Sequence, residues 1–145
     1  MPNKTYKQGR YTLRNPDKYI GDKDNVIFRS SWELAANQFF DNNPKVLRWA
    51  SEEIKIPYIK PTDNKVHHYY PDYWIEYQNK TGEIVQEVIE VKPEDQVNIR
   101  RKRRLNRYDQ LTYAINVSKW QAAQQFCEKN GMKFRILTEQ QLFRS

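Results

Sequence analysis

The stretch from Tyr69 to Lys92 limits most sharply what this chain can fold into. It holds two apolar runs, Tyr73-Trp74-Ile75 and Ile84-Val85 with Val88-Ile89, separated by Asn79-Lys80-Thr81-Gly82. Asn, Thr and Gly clustered between β-forming runs read as a turn, since glycine tolerates positive φ. The segment predicts a β-hairpin. Pro71-Asp72 heads its first strand and Glu90-Val91-Lys92 ends its second. Residues i and i+2 of a strand share a face, which puts Glu90 and Lys92 on one side about 7 Å apart. An antiparallel partner brings Asp72 beside Glu90, so two carboxylates and one ammonium converge at one end of a sheet.

That convergence suits a divalent cation and an attacking water. Magnesium takes oxygen ligands in octahedral geometry and binds through one or two carboxylates, keeping waters and substrate phosphate in its other positions. Asp72 and Glu90 would supply the carboxylates. A cation there lowers the pKa of bound water and polarises a phosphoryl oxygen, which allows in-line attack on a phosphodiester near neutral pH. Lys92 would orient the water or stabilise charge developing on the phosphate. A surface ion pair between Lys92 and Glu90 is the plainer account of the Glu-x-Lys pattern. Against it, charges at the end of a hairpin this apolar lie near other buried elements, where unpaired carboxylates are costly.

A chain of 145 residues supports one sizeable core and not two, so residues 1–145 are read as a single domain, with a basic arm over 1–24 and the core over 25–145. Only 38% of the residues are hydrophobic, but the 14% that are aromatic bury large areas each. Cys127 is the single cysteine, which excludes a disulfide framework and argues against a zinc cluster. No leader and no run of membrane-spanning length is visible, so the expected setting is cytoplasmic, away from membranes. The formal charge of +7 is concentrated. Arg100, Arg101, Lys102, Arg103, Arg104 and Arg107 stand together without an acid among them. A polyanion, DNA above all, is the expected partner; a solvated charge run or a basic segment that binds RNA or membrane nonspecifically are the alternatives.

In chain order, residues 1–24 interleave Lys and Arg with Tyr6, Tyr11 and Tyr19. They read as an extended arm that lies over the domain, contacts phosphates and bases, or is partly disordered. Ser30 or Ser31 caps a helix with Glu33 in its first turn, where a carboxylate favours the dipole. Trp32, Ala35, Ala36, Phe39 and Phe40 form its apolar face, and Asn42-Asn43-Pro44 ends it. Glu33 is either a favourable first-turn charge or a third acid leaning over the hairpin end. Val46–Trp49 and Ile54–Tyr58 read as short strands; Glu52 between them supports the site or is a solvated acid. Residues 61–65 read as a turn. His67 and His68 are adjacent, so on a strand they point to opposite faces and do not share a metal; they read as loop or strand-edge residues. Residues 108–130 are rich in helix formers, with a break predicted at Val117-Ser118 and a stop at Asn130-Gly131. Residues 132–137 form a strand, and Thr138 caps a last helix with Leu142 and Phe143. The order gives an α/β fold, a mixed sheet flanked by helices. No internal repeat is present.

The pattern Pro71-Asp72 with Glu90-Val91-Lys92 resembles the PD-(D/E)XK nuclease superfamily and its restriction-endonuclease-like core. The longer ensemble is more specific. Phe28-Arg29-Ser30-Ser31-Trp32-Glu33, Val46 through Trp49, Ser51-Glu52, Ile56-Pro57-Tyr58, Tyr70-Pro71-Asp72-Tyr73 and Ile89-Glu90-Val91-Lys92-Pro93 are similar, in order and spacing, to the head completion nucleases of T-even-like tailed phages. The core also resembles TnsA-type transposon endonuclease subunits. The resemblance implies that Glu33, Asp72 and Glu90 are catalytic acids, that Lys92 is the catalytic lysine, and that Asp72, Glu90, Glu33 and the Val91 carbonyl hold metal. It further implies Mg2+ as cofactor with Mn2+ as a substitute, and DNA cleavage selective for structure or ends. Phage head or portal proteins would be partners, in the host cytoplasm during assembly, with retention in the virion conceivable. A homodimer would let two such sites cut both strands. Arg100, Arg101, Lys102, Arg103, Arg104 and Arg107 match no family motif, and their assignment to DNA rests on charge. The competing readings are a non-catalytic DNA-binding component of a phage head and a nuclease subunit of a transposon or restriction system.

Overall fold

The computed structural model describes residues 8–97 and 105–138. The central hairpin forms as its sequence predicts. Strands β6 (Tyr73–Gln78) and β7 (Ile84–Val91) pair antiparallel, with Tyr73 opposite Ile89 and Gln78 opposite Ile84. Asn79 Oδ1 accepts from the amides of Thr81 and Glu83 and so shapes the turn, and Gly82 takes φ 87°.

Two more strands complete a four-stranded sheet in the order β3-β6-β7-β8. Strand β3 (Val46–Ser51) runs antiparallel to β6, and β8 (Lys133–Leu137) runs parallel to β7. The sheet is therefore mixed, as expected. A parallel neighbour needs a long crossover, and helix α3 (Arg107–Lys129) supplies it. Asn106 caps α3 in a reciprocal box with Asp109, and Gly131 at φ 69° follows its end. The predicted break at Val117-Ser118 is absent: α3 is continuous over 23 residues. Neither residue removes a backbone hydrogen bond as proline would, and packing of the helix overrides their modest propensity cost.

One face of the sheet carries α1 (Ser31–Asn42), the other α3. Over α1 lies a core of Ala36, Phe40, Trp49, Tyr73, Ile75 and Ile89, joined by Tyr11, Tyr19 and Val26. The described part of the N-terminal segment thus lies over the domain, with two tyrosines in its core. Short strands β1 (Gly9–Arg10) and β2 (Ile27–Phe28) pair within it. The buried face of α1 is rotated from the predicted one. Asn37 and Asp41 are fully buried while Phe39 is 57% exposed. The reason is polar matching: Tyr73 Oη donates to Asn37 Oδ1 at 2.6 Å, and Tyr11 Oη donates to Asp41 Oδ2 at 2.7 Å.

On the α3 face sits a second hairpin, β4 (Ile56–Lys60) with β5 (Lys65–Tyr69). The predicted turn at 61–65 is its tip, and β5 takes in His67 and His68, which the sequence leaves open between loop and strand edge. Ile56, Tyr58 and Tyr69 pack with Ala123, Trp120 and Phe126 of α3. A one-turn helix, α2 (Glu94–Val97), follows β7.

Candidate active site

The register of β6 and β7 continues one step beyond Tyr73 and Ile89, setting Asp72 across from Glu90. Both lie on the α3 face of the sheet end. A cleft of about 260 Å³ opens there, lined among others by Glu33, Asp72, Glu90, Val91, Lys92 and Gln96. Glu33, Asp72, Glu90, Val91 and Lys92 therefore meet in one cavity; Glu52 does not line it. They come from three elements: the first turn of α1, the residue before β6, and the end of β7.

Each acid is held by one oxygen. Asp72 Oδ2 accepts from the Val91 amide at 2.7 Å. Glu90 Oε1 accepts from Tyr69 Oη at 2.7 Å, and its Oε2 lies 3.7 Å from Lys92 Nζ. Glu33 Oε1 accepts from the Arg29 amide at 3.0 Å, while Ser30 Oγ caps the Glu33 amide at 3.1 Å. Glu33 is thus a helix-capping residue and a cleft residue at once. Tyr73 Oη donates to the Glu33 carbonyl, which ties α1 to the sheet beside the cleft.

Burial pushes the Asp72 carboxyl well above its usual range, and the neighbouring Glu90 charge pushes it further against the opposing Val91 amide. Glu90 is also raised, by burial, with Tyr69 and Lys92 pulling the other way. Glu33 is raised by burial against the Arg29 hydrogen bond. Ionising three such acids together in one cleft is unfavourable without a cation.

The donor set offers a divalent ion few protein ligands. Asp72 and Glu90 each keep one oxygen not used by the Val91 amide or Tyr69, and two carboxylates with water and phosphate oxygens satisfy a hard cation. Among the described residues no group of three or more His, Cys, Asp or Glu side chains is arranged to hold a metal ion. The fit therefore rests on the Asp72–Glu90 pair with a main-chain oxygen, not on a closed protein cage.

Several further residues stand around these acids. Tyr69 Oη, at the end of β5, grips Glu90. Arg29 pairs with Glu52 at the cleft rim, and its charge reaches Glu33 and Asp72. Glu52 has φ 57°, unusual for a residue with a side chain, and its amide donates to the Asp72 carbonyl at 3.0 Å. Strained backbone at such a position fits a site over-determined by its surroundings. Lys119 of α3 sits above the Tyr69 ring. Of these, Glu52 reads from the sequence as a support for the site or a solvated acid, and the fold sets its amide on the Asp72 carbonyl; Tyr69 and Lys119 carry no such signal. His67 and His68 lie on β5, away from the cleft lining, and His67 Nε2 pairs with Asp63. Of the basic run, Arg100 to Arg104 fall outside the described residues, and Arg107 is exposed in the first turn of α3.

A family model, TnsA-like endonuclease N terminal, matches residues 43–139, which span β3 to beyond β8. The chain belongs to the TnsA-like endonuclease family. The TnsA-like match takes in Asp72, Glu90, Val91 and Lys92; Glu33 lies upstream of it. A relative outside that model's limits extends the likeness to nearly the whole chain: the head completion nuclease of Enterobacteria phage T4 is 34% identical over 141 residues, covering 90% of each chain. The mixed α/β architecture is that expected of a TnsA-like, restriction-endonuclease-like core. No helix among the described residues is long and apolar enough to cross a membrane.

Proposed function

We propose that this protein is a Mg2+-dependent DNA endonuclease that acts in phage head completion and head–tail joining, selecting DNA by structure or ends. The observation that carries the reading is the Asp72–Glu90 pair, each acid fixed through one oxygen in a cleft shared with Lys92. The family supports phosphodiester chemistry, and the name of the phage T4 relative supports the setting in head assembly. The partners in this reading are DNA and proteins of the phage head or portal, met in the host cytoplasm.

Asp72, Glu90 and the Val91 carbonyl would hold the cation, with Glu33 holding a second ion or a water. A bound Mg2+, or Mn2+ in its place, supplies Lewis acidity for water activation and phosphoryl polarisation. The chain's own groups do the remainder. The Val91 amide and Tyr69 Oη fix the two carboxylates before substrate arrives, so little reorganisation is left for the reaction. Lys92 stands 3.7 Å from Glu90 Oε2, free enough to turn toward a phosphate oxygen or the attacking water. Sequence is not read at this cleft, since contacts to phosphate carry no base information.

The test is cleavage of linear, circular and branched DNA with Mg2+ by wild type, Asp72→Asn and Lys92→Ala at equal DNA occupancy. Wild type should cut, and each variant should lose about 100-fold or more, the scale for removing one preorganised stabilising group. Wild type that binds DNA but cuts none of the three with Mg2+ or Mn2+ would replace this reading by that of a non-catalytic DNA-binding head component.

A further inference from the structure

Lys119 is half-buried on α3 with its ammonium 5.6 Å from the Tyr69 ring centre and 5.9 Å from that of Tyr58. Among the described residues it forms no ion pair; nor does Lys60. A partly desolvated ammonium that lies against ring faces and near the cleft acids, without a direct ion pair, keeps donors to offer, and desolvation strengthens what an anion placed there would gain. Both rings are themselves buried in the core between the β4–β5 hairpin and α3. Tyr69 touches Glu90, and Tyr58 lies farther along the same face of the β4–β5 hairpin.

The next residue on that face is Lys60, about 7 Å beyond Tyr58 by strand geometry. Lys60 stands directly opposite Lys65 in the hairpin register. Side chains of such a pair are about 5 Å apart, and like charges there destabilise a hairpin. The acid near this end, Asp63, is occupied by the Lys65 amide and His67. From Lys92 in the cleft, the positive groups therefore follow one another as Lys119 and then Lys60 with Lys65, along the seam of the hairpin and α3. The charges of Lys92 and Lys60 reach Lys119, as do the opposite charges of Glu90 and Asp72 from the cleft.

We propose that Lys119, Lys60 and Lys65 form a phosphate track that takes the backbone of the cleaved DNA strand away from the cleft over the outer edge of the seam where the β4–β5 hairpin packs on α3. It rests on the nuclease reading for the identity of its ligand and explains how so small a domain would align a strand with Asp72 and Glu90. Tyr58 and Tyr69 hold Lys119 in place, and the paired lysines at the hairpin end receive a phosphate farther along. The track is built from separate elements that only the fold brings together.

The experiment is binding of a fluorescent DNA duplex by anisotropy in EDTA over a range of NaCl, for wild type, Lys60→Ala/Lys65→Ala, Lys119→Met and the control Lys45→Ala. Lys45 is exposed at the opposite end of the sheet, before β3. Each phosphate contact contributes about 0.9 to the slope of log K against log salt. Lys119→Met should lower the slope by about one, and the double variant by about one to two. Lys45→Ala should leave it unchanged. Slopes and affinities equal to wild type in both track variants, with wild-type melting curves, overturn the track. The double variant alters only the hairpin end, so the result stands even if Lys119→Met fails to fold. If wild type cuts DNA and the slopes do not change, the track fails while the nuclease reading holds. If the slopes fall and nothing cuts with Mg2+ or Mn2+, the nuclease reading fails while the track holds.

Discussion

Asp41→Ala should unlock the N-terminal segment from α1 without touching the cleft. The Asp41 carboxylate accepts from Tyr11 Oη at 2.7 Å, from the Arg14 amide at 2.7 Å and from the Asn15 amide at 3.0 Å. Alanine leaves all three donors without this acceptor. Tyr11 is buried, so its hydroxyl bears the larger share of an unsatisfied donor, about 2 kcal/mol. Arg14 and Asn15 are exposed, and water recovers part of their loss, leaving about 0.5 to 1 kcal/mol each. The sum is about 3 to 4 kcal/mol, a large fraction of the ~5–15 kcal/mol that holds a typical domain folded. For 145 residues the unfolding entropy is about 0.3 kcal/mol per kelvin, so Tm should fall by roughly 10 °C. Urea unfolding followed by tryptophan fluorescence measures the free energy directly. Eight residues separate Asp41 from Glu33 along α1, about 12 Å of helix, so cleavage by the folded variant at 15 °C should stay within about twofold of wild type. A loss below about 1 kcal/mol would refute the assignment of these hydrogen bonds as the lock.

Asp72, Glu90 and Glu33 bind protons more tightly in the folded protein than in the unfolded chain, because burial raises all three. The stability they contribute is whole below the ordinary values of 3.8 and 4.5 and is lost as pH rises through the raised native values. Metal-free protein should therefore melt lower at pH 8 than at pH 5.5 on account of these groups, and Mg2+ should raise Tm more at pH 8; equal Mg2+ shifts at both pH values would count against the cation site. Asp72→Asn should remove most of the Mg2+ shift while raising the metal-free Tm at pH 8, measured by the same melts. Tyr69→Phe removes the donor that fixes Glu90 and should raise the Mg2+ concentration for half-maximal cleavage several-fold; an unchanged Mg2+ titration would show that Tyr69 only packs against α3.

The central hairpin was readable because its signals are local. A turn cluster between two apolar runs sets the strand pairing, the pairing sets the register, and the register puts Asp72 across from Glu90. The cap at Ser30 was readable for the same reason, since it is a contact across three residues. Errors came where partners distant in sequence decide. The face of α1 turned toward Asn37 and Asp41 because Tyr73 and Tyr11 supply their hydrogen bonds, and no periodicity in α1 itself records those tyrosines. The sequence leaves β5 open between loop and strand edge, and the structure takes the strand, because its face toward α3 is completed by Tyr69, which no local pattern around His67 and His68 records. Val117 and Ser118 carry a weak local signal for a break in α3, and the packing that spans them overrides it.

Acid, acid and lysine at the end of a hairpin follow from the sequence alone, because strand alternation and antiparallel pairing are properties of neighbouring residues. What surrounds them is set by the tertiary structure. Tyr69 on Glu90, the Val91 amide on Asp72, Arg29 with Glu52, and Lys119 above two tyrosine rings join residues from separate elements. Their effect on charge is a burial effect, and burial depends on every element packed around the cleft. The chain thus carries its chemistry in short spacings, while the positions and protonation of those groups are decided only when the helices close over the sheet.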